Sequence, residues 1–149
     1  LMTLEYETDL TRDDLYALAD EVYAPNDVGA AISSGSMITL GMIVAPCAVK
    51  SAAEIACGAT QTLLTRAADV TLKERRRLVL MVRESPLHTG HLRTLTEASE
   101  IGAIIMPPMP AFYPRPETIE DMVDHTVGRA LDLFGIEHEL LKRWTGTPA

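Results

Sequence analysis

The stretch MITLGMIVAPCAVKS, residues 37–51, decides how the chain reads. Leu40-Gly41-Met42-Ile43-Val44-Ala45 is apolar at successive rather than alternate positions. That is the pattern of a strand buried on both faces, as in the middle of a parallel sheet. Pro46 has no N–H to donate and is expected to stop the ladder. Cys47-Ala48-Val49-Lys50-Ser51 then leads into a helical run, SAAEIACG. The reading is strand, tight turn, helix N-terminus. Ligands of open α/β sheets sit at the carboxyl ends of strands, and helix N-termini attract anions. Small residues and a lysine at this turn suit an anionic ligand; an ordinary solvent-facing turn has the same composition.

Two further strands frame this one. Leu78-Val79-Leu80-Met81-Val82 is again apolar on both faces, with Arg83 and Glu84 at its carboxyl end and Ser85-Pro86 closing it. Ala103-Ile104-Ile105-Met106 is the third. It runs into PPMPAFYPRP, residues 107–116, where five prolines in ten residues fix an extended loop of low entropy. A rigid loop carrying Phe112 and Tyr113 at a strand end suits a pocket wall or a subunit contact.

Helices separate the strands. Thr11 caps a helix with Asp13 and Asp14 in its first turn, continuing through Leu15, Leu18, Ala19 and Val22 until Pro25 breaks it. Residues 27–32 make a turn or two, and Ser33-Ser34-Gly35-Ser36 is a hydroxyl-rich loop able to donate to a phosphate. A short helix covers 51–57, ended by Gly58. A longer one covers 60–75, where Arg66 and Lys73 lie two turns apart on one face. Another closes at Gly102. The last opens at Thr118, with Asp121 as the partner of a capping box. It presents Ile119, Met122, Val123, Val127, Ala130, Leu131 and Phe134 on one face, places Arg129 off its centre, and ends at Gly135. Trp144 in the tail is the only tryptophan. Strands alternating with helices define an α/β class with a doubly wound parallel sheet. Three strands are few for such a sheet, so at least one strand–helix unit is expected ahead of Leu1. Residues 1–149 read as a single, N-terminally incomplete domain.

The bulk numbers narrow the function. A hydrophobic content of 47% argues for a packed core and against disorder. A net charge of -8 argues against a nucleic-acid surface, so an anionic ligand needs a local cluster of Lys and Arg. Cys47 and Cys57 fall on elements that read as buried, and point to reduced thiols in a cytoplasmic protein. The apolar run from Met37 to Val49 is shorter than the ~20 residues that span a bilayer. His88-x-x-His91 has the spacing of two metal ligands but lacks a third, so no metal is assigned. Glu120, Asp121 and Asp124 read as acids placed by the helix dipole rather than as a magnesium site.

With these residues in hand, the chain resembles the flavin prenyltransferase family, also described as the small subunit of aromatic-acid decarboxylase systems. The matching blocks are SSGSMITLGMIVAPCAVKS (33–51), LLTRAADVTLKERR (63–76), LVLMVRESPLHTGHL (78–92) and IIMPPMPAFYPRPETIEDMVDHTVGRALD (104–132), with Glu5 to Asp9. The family's opening Gly-rich turn, which holds the FMN phosphate, has no counterpart here. Where members carry serine at the position of Ala48, a backbone contact survives the change.

The resemblance implies a homododecameric flavoprotein of flavodoxin-like, Rossmann-like architecture, with helices on both faces of a parallel sheet. It implies use of reduced FMN and dimethylallyl phosphate, joining the prenyl unit to N5 and C6 of the flavin. The product, prenylated FMN, would serve a separate partner decarboxylase. By position, Ala48, Val49, Lys50, Ser51 and Arg83 resemble the FMN-binding residues. Tyr113 and Arg129 resemble those that hold dimethylallyl phosphate, and Lys73 with Arg66 the basic groups a neighbouring subunit contributes. Glu7 and Glu84 match the site carboxylates. The structural alternative for Arg129 is a surface ion pair with Asp132 or Asp121. Two other functions compete: a non-catalytic assembly subunit of a decarboxylase, and a flavin-dependent cysteine decarboxylase of the same fold. MPPMPAFY stands where the second would carry its Asn-Met motif.

Overall fold

The computed structural model describes residues 2–141, 143 and 146; Trp144 lies outside them. In chain order the elements are α1 (Met2–Glu7), α2 (Arg12–Tyr16), a 3-10 turn (Ala31–Ser33), β1 (Gly41–Cys47), α3 (Val49–Ala56), α4 (Leu63–Lys73), β2 (Arg77–Val82), α5 (Thr89–Glu100), β3 (Ala103–Ile105) and α6 (Ile119–Asp132). The strands form one parallel sheet in the order β1-β2-β3. This is the open parallel α/β architecture that the alternation of strands and helices predicts.

β2 is the central strand, and Leu78, Val79 and Leu80 are completely buried. β1 departs from its expected burial: only Val44 and Cys47 are buried, and Ile43 is 38% exposed. The reason is position. Among the described residues β1 pairs only with β2, and no described strand lies on its other side. Nor does Pro46 end it. The register advances three residues on β1 (Val44 to Cys47) against two on β2 (Leu80 to Val82). The strand thus bulges at Ala45-Pro46 and then resumes, a setting that tolerates the missing N–H of proline. Gly41 enters this strand with its α-carbon against β2; a Cβ there would lie 2.3 Å from the Arg77 carbonyl oxygen and 2.6 Å from the Phe134 ring.

One face of the sheet carries the core. Val44, Leu78, Leu80, Val82 and Ala103 pack with Ala52 and Ile55 of α3, Ala68 of α4, and Leu95 and Ala98 of α5. Small residues on the helices let them sit close to the sheet. The end of α6, with Phe134 against Gly41, lies on the other face. Much of the apolar face expected of α6 is open: Ile119 is 78% and Val123 53% exposed, and only Gly128 and Ala130 are buried.

Thr11 and Thr118 cap their helices as expected, closing boxes with Asp14 and Asp121, and Thr62 closes a third with Thr65, so that the helix expected over 60–75 runs from Leu63 to Lys73. The helix expected over 11–22 shrinks to Arg12–Tyr16, and Leu18 is 79% exposed. Its apolar positions meet no core, and a short helix without packing is not sustained. Cys57 is exposed, not buried, because it lies at the C-cap of α3, beyond the face that packs on the sheet. Cys47 is fully buried, and burial pushes its thiol up to about 11.

Candidate active site at the carboxyl ends of the strands

The strand ends converge on one open cavity of about 660 Å³. Val82, Arg83, Glu84 and Ser85 line it from the end of β2, and Pro107, Pro108, Met109 and Pro110 from the loop after β3. Both residues that follow β2 therefore face the same space. Arg83 donates from Nη1 to Oε1 of Glu7 at 3.0 Å, so α1 is drawn to the cavity by an ion pair. Glu84 accepts the backbone N–H of Ser85 at 3.2 Å and, among the described residues, forms no ion pair.

The turn after β1 forms a second part of this end. Ala48 is the N-cap of α3 and offers no side-chain cap, whereas α2, α4, α5 and α6 are each capped by a side chain. The first-turn N–H groups of a helix have no intrahelical partner, so those of Val49, Lys50 and Ser51 stay available to a ligand oxygen. Lys50 pairs only loosely with Glu54, at 3.6 Å. An uncapped helix start beside an arginine can receive the polar edge of an anionic ligand. Val49, Lys50 and Ala53 also wall a cavity of about 260 Å³ with His91, Thr94 and Leu95 of α5.

A third group lies between the proline loop and α6. The Tyr113 hydroxyl and Nε2 of His125 are 3.0 Å apart, their rings edge to face with centroids 5.5 Å apart. His125, Thr126 and Arg129 face Ile104, Ile105 and Met106 across a cavity of about 280 Å³. Arg129 donates from Nη1 to Oδ2 of Asp132 at 2.9 Å, so the ion pair weighed as the structural alternative exists. Asp132 also takes Arg143 at 2.8 Å and His138 at 3.1 Å. Chiefly Arg143, with His138 and Arg129 adding and partial desolvation opposing, holds the Asp132 carboxyl down to about 2. The space beside Gly128 is filled by the chain itself: a Cβ there would lie 2.6 Å from Cε1 of His138 and 2.9 Å from Cδ2 of Leu141.

Arg66 and Lys73 do not join these groups within the chain. Both lie on α4, where Arg66 pairs with Asp69 at 3.3 Å and Lys73 with Glu74. Lys73 ends α4 just ahead of β2, and β2 itself spans six residues, about 20 Å, before Arg83 is reached. Around Lys73 is the serine loop: Arg76 donates to the carbonyls of Met37 and Gly35, at 2.5 and 2.7 Å, and pins that loop to the start of β2.

His88 and His91 stack with centroids 3.6 Å apart, and Nδ1 of His88 accepts the N–H groups of Gly90 and His91 as the cap of α5. Among the described residues no three His, Cys, Asp or Glu side chains converge as a metal site would require. His125 is the residue that reading the sequence missed; its one signal was the four-residue spacing to Arg129, which puts both on one side of α6.

A family model described as Flavoprotein matches residues 7–131. The flavin prenyltransferase UbiX of Thauera aromatica is 53% identical over 144 residues, 97% of this chain and 74% of its own length. That of Escherichia coli K12 is 54% identical over 146 residues, 97% of this chain and 77% of its own length. Among solved structures, AnUbiX (PadA1) in complex with FMN and dimethylallyl pyrophosphate superposes with a TM-score of 0.96 at 49% identity, covering 99% of this chain and 78% of that one. A dodecameric FMN-dependent UbiX-like decarboxylase from Escherichia coli O157:H7 superposes with a TM-score of 0.94 at 51% identity, covering 97% of this chain and 78% of that one. The chain belongs to the flavoprotein family and, within it, to the flavin prenyltransferases.

Proposed function

We propose that this chain joins a dimethylallyl group from dimethylallyl phosphate to N5 and C6 of reduced FMN, and that the prenylated FMN passes to a separate partner decarboxylase. The observation that carries the reading is the convergence, at the strand ends, of an uncapped helix start with a cavity walled by Arg83, Glu84 and the proline loop. It occurs in a chain with the fold of a relative crystallised with FMN and dimethylallyl pyrophosphate.

Reduced FMN supplies the nucleophilic ring atoms. The chain supplies binding, charge and dryness. Backbone N–H groups at Ala48, Val49, Lys50 and Ser51, with Arg83, hold the cofactor's polar edge. Phosphate leaves slowly unless the charge growing on its oxygens is offset; Arg129 and the Tyr113 hydroxyl do this on one side. Lys73 and Arg66, remote from Arg83 along β2, act on a neighbouring subunit's site, which ties activity to a homododecamer. The exposed Ile119 and Val123 of α6 are apolar surface for such contacts. Pro107 to Pro110 exclude water from the allylic cation formed as the C–O bond breaks. Glu84, which forms no ion pair among the described residues, accepts the proton that ring alkylation releases, and Glu7 orients Arg83.

No helix among the described residues is long and apolar enough to cross a membrane. The two cysteines are free thiols, one of them exposed, which fits the reducing cytoplasm.

The test is direct. Purified protein is loaded with FMN, reduced without oxygen and given dimethylallyl phosphate. The expected result is release of phosphate and a flavin heavier by one dimethylallyl unit in the mass spectrum. Bound FMN returned unmodified, with no phosphate released, would overturn the reading.

A further inference from the structure

We propose that His125 is a positioning residue that aims the Tyr113 hydroxyl at the phosphate of the prenyl donor. This rests on the function just given. A phenol has one proton and must donate it to be useful to a phosphate oxygen. On an exposed loop that proton is free to swing, and Tyr113 is 65% exposed. His125 removes the choice. Its Nε2 lies 3.0 Å from the phenol oxygen; with the proton on Nε2 the ring donates into that oxygen and leaves the phenol O–H to point away, toward the bound anion. Both the neutral Nε2–H tautomer and the protonated imidazole make this bond. Donation into the phenol oxygen also polarises the O–H, so the two hydrogen bonds strengthen each other.

Three further features suit His125 to this work. The edge-to-face packing of the rings, with an interplanar angle of 85°, fixes the plane of Tyr113 as well as its proton. His125 stands one helical turn from Arg129, so both groups of the phosphate clamp are referred to the same stretch of α6. And His125 borders the cavity shared with Arg129 on one side and, on the other, a cavity of about 350 Å³ walled by Pro114, Pro116 and Leu140. Among the described residues the bond to Tyr113 is the one hydrogen bond its ring makes.

The experiment uses the FMN-loaded assembly and two variants. His125→Phe keeps a flat ring beside Tyr113 but has no donor. His125→Gln lacks the ring but can donate an N–H. Dimethylallyl phosphate is titrated calorimetrically into each holoprotein with oxidised FMN, and steady-state turnover is followed with reduced FMN. We expect His125→Phe to weaken binding roughly tenfold, the order of one hydrogen bond to a charged group, and to lower kcat as well, because the Tyr113 hydroxyl also meets the charge that grows on the leaving phosphate. His125→Gln should recover affinity to within about threefold of wild type, and His125→Phe should add nothing in a Tyr113→Phe background, since the two then lose one shared interaction. Wild-type affinity in His125→Phe, a glutamine no better than phenylalanine, or fully additive losses would each overturn the proposal. Wild-type holoprotein that binds no dimethylallyl phosphate would overturn the functional reading and this proposal together, whereas tight wild-type binding with an indifferent position 125 would sink this proposal alone.

Discussion

Nη1 of Arg83 lies 3.0 Å from Oε1 of Glu7, joining residues 76 positions apart beside the cavity that Arg83 lines. Both side chains are more than half exposed, so the pair contributes only about 0–1 kcal/mol to stability. Its value is orientation. Glu7→Gln should leave the melting temperature within about 4 °C of wild type, the shift that ~1 kcal/mol corresponds to. Prenyl transfer should fall by about tenfold or more, equal to ~1.4 kcal/mol of transition-state stabilisation. Thermal melts and turnover on the same samples check this; equal loss of stability and activity would make the pair merely structural.

Glu84→Gln separates chemistry from binding. The volume is kept, the charge is lost, and the contact to the Ser85 N–H survives through the amide oxygen. FMN should bind normally while prenyl transfer is lost. Turnover within a factor of about three, or ~0.7 kcal/mol, would show that Glu84 is not a proton acceptor.

Arg129 is shared between Asp132 and the proposed phosphate. Only a guanidinium can offer two parallel N–H bonds, so Arg129→Lys should weaken dimethylallyl phosphate binding while FMN affinity stays near normal. Asp132 has a second task, tethering the segment that carries His138 and Arg143. Its carboxyl is held below its ordinary 3.8, at about 2. A lowered carboxyl value means that the tether is fully present above the ordinary value and is lost as pH falls through the folded one. The difference in melting temperature between wild type and Asp132→Asn should therefore be constant at neutral pH, narrow below about 4 and vanish near 2. A difference that persisted unchanged to pH 2 would remove Asp132 from that role.

Lys73 offers a test of sharing between subunits. Lys73→Ala and Arg83→Ala should each be inactive alone. If Lys73 serves a neighbour's site, assemblies co-expressed from both variants contain some sites with both groups intact, and should regain a substantial fraction of wild-type turnover. Mixed assemblies as inactive as the pure ones would place Lys73 in its own subunit's chemistry, or outside it.

Much of this protein is written locally. The helix starts at Thr11 and Thr118 are settled by a hydroxyl and a partner three residues on, so sequence locates them to within a residue or two. The strands at 78–82 and 103–106 and the proline loop are legible for the same reason: their signals span only a few residues. The resemblance of four blocks to one family carried the function further than physics alone, which left Lys50 and Arg83 as candidates for an anion of unstated kind. What the tertiary structure decided depends on neighbours distant in the chain. Whether β1 is buried on two sides follows from its place in the sheet, and a run of apolar residues is the same at an edge as at the centre. Whether Leu15, Leu18 and Val22 sustain a helix depends on a core to receive them, and among the described residues all three stay exposed. His125 became significant only when the loop after β3 laid Tyr113 against α6, and Glu7 only when α1 reached Arg83. Periodicity sets which side of an element is apolar; long-range packing sets what that side meets, and the site is made of such meetings.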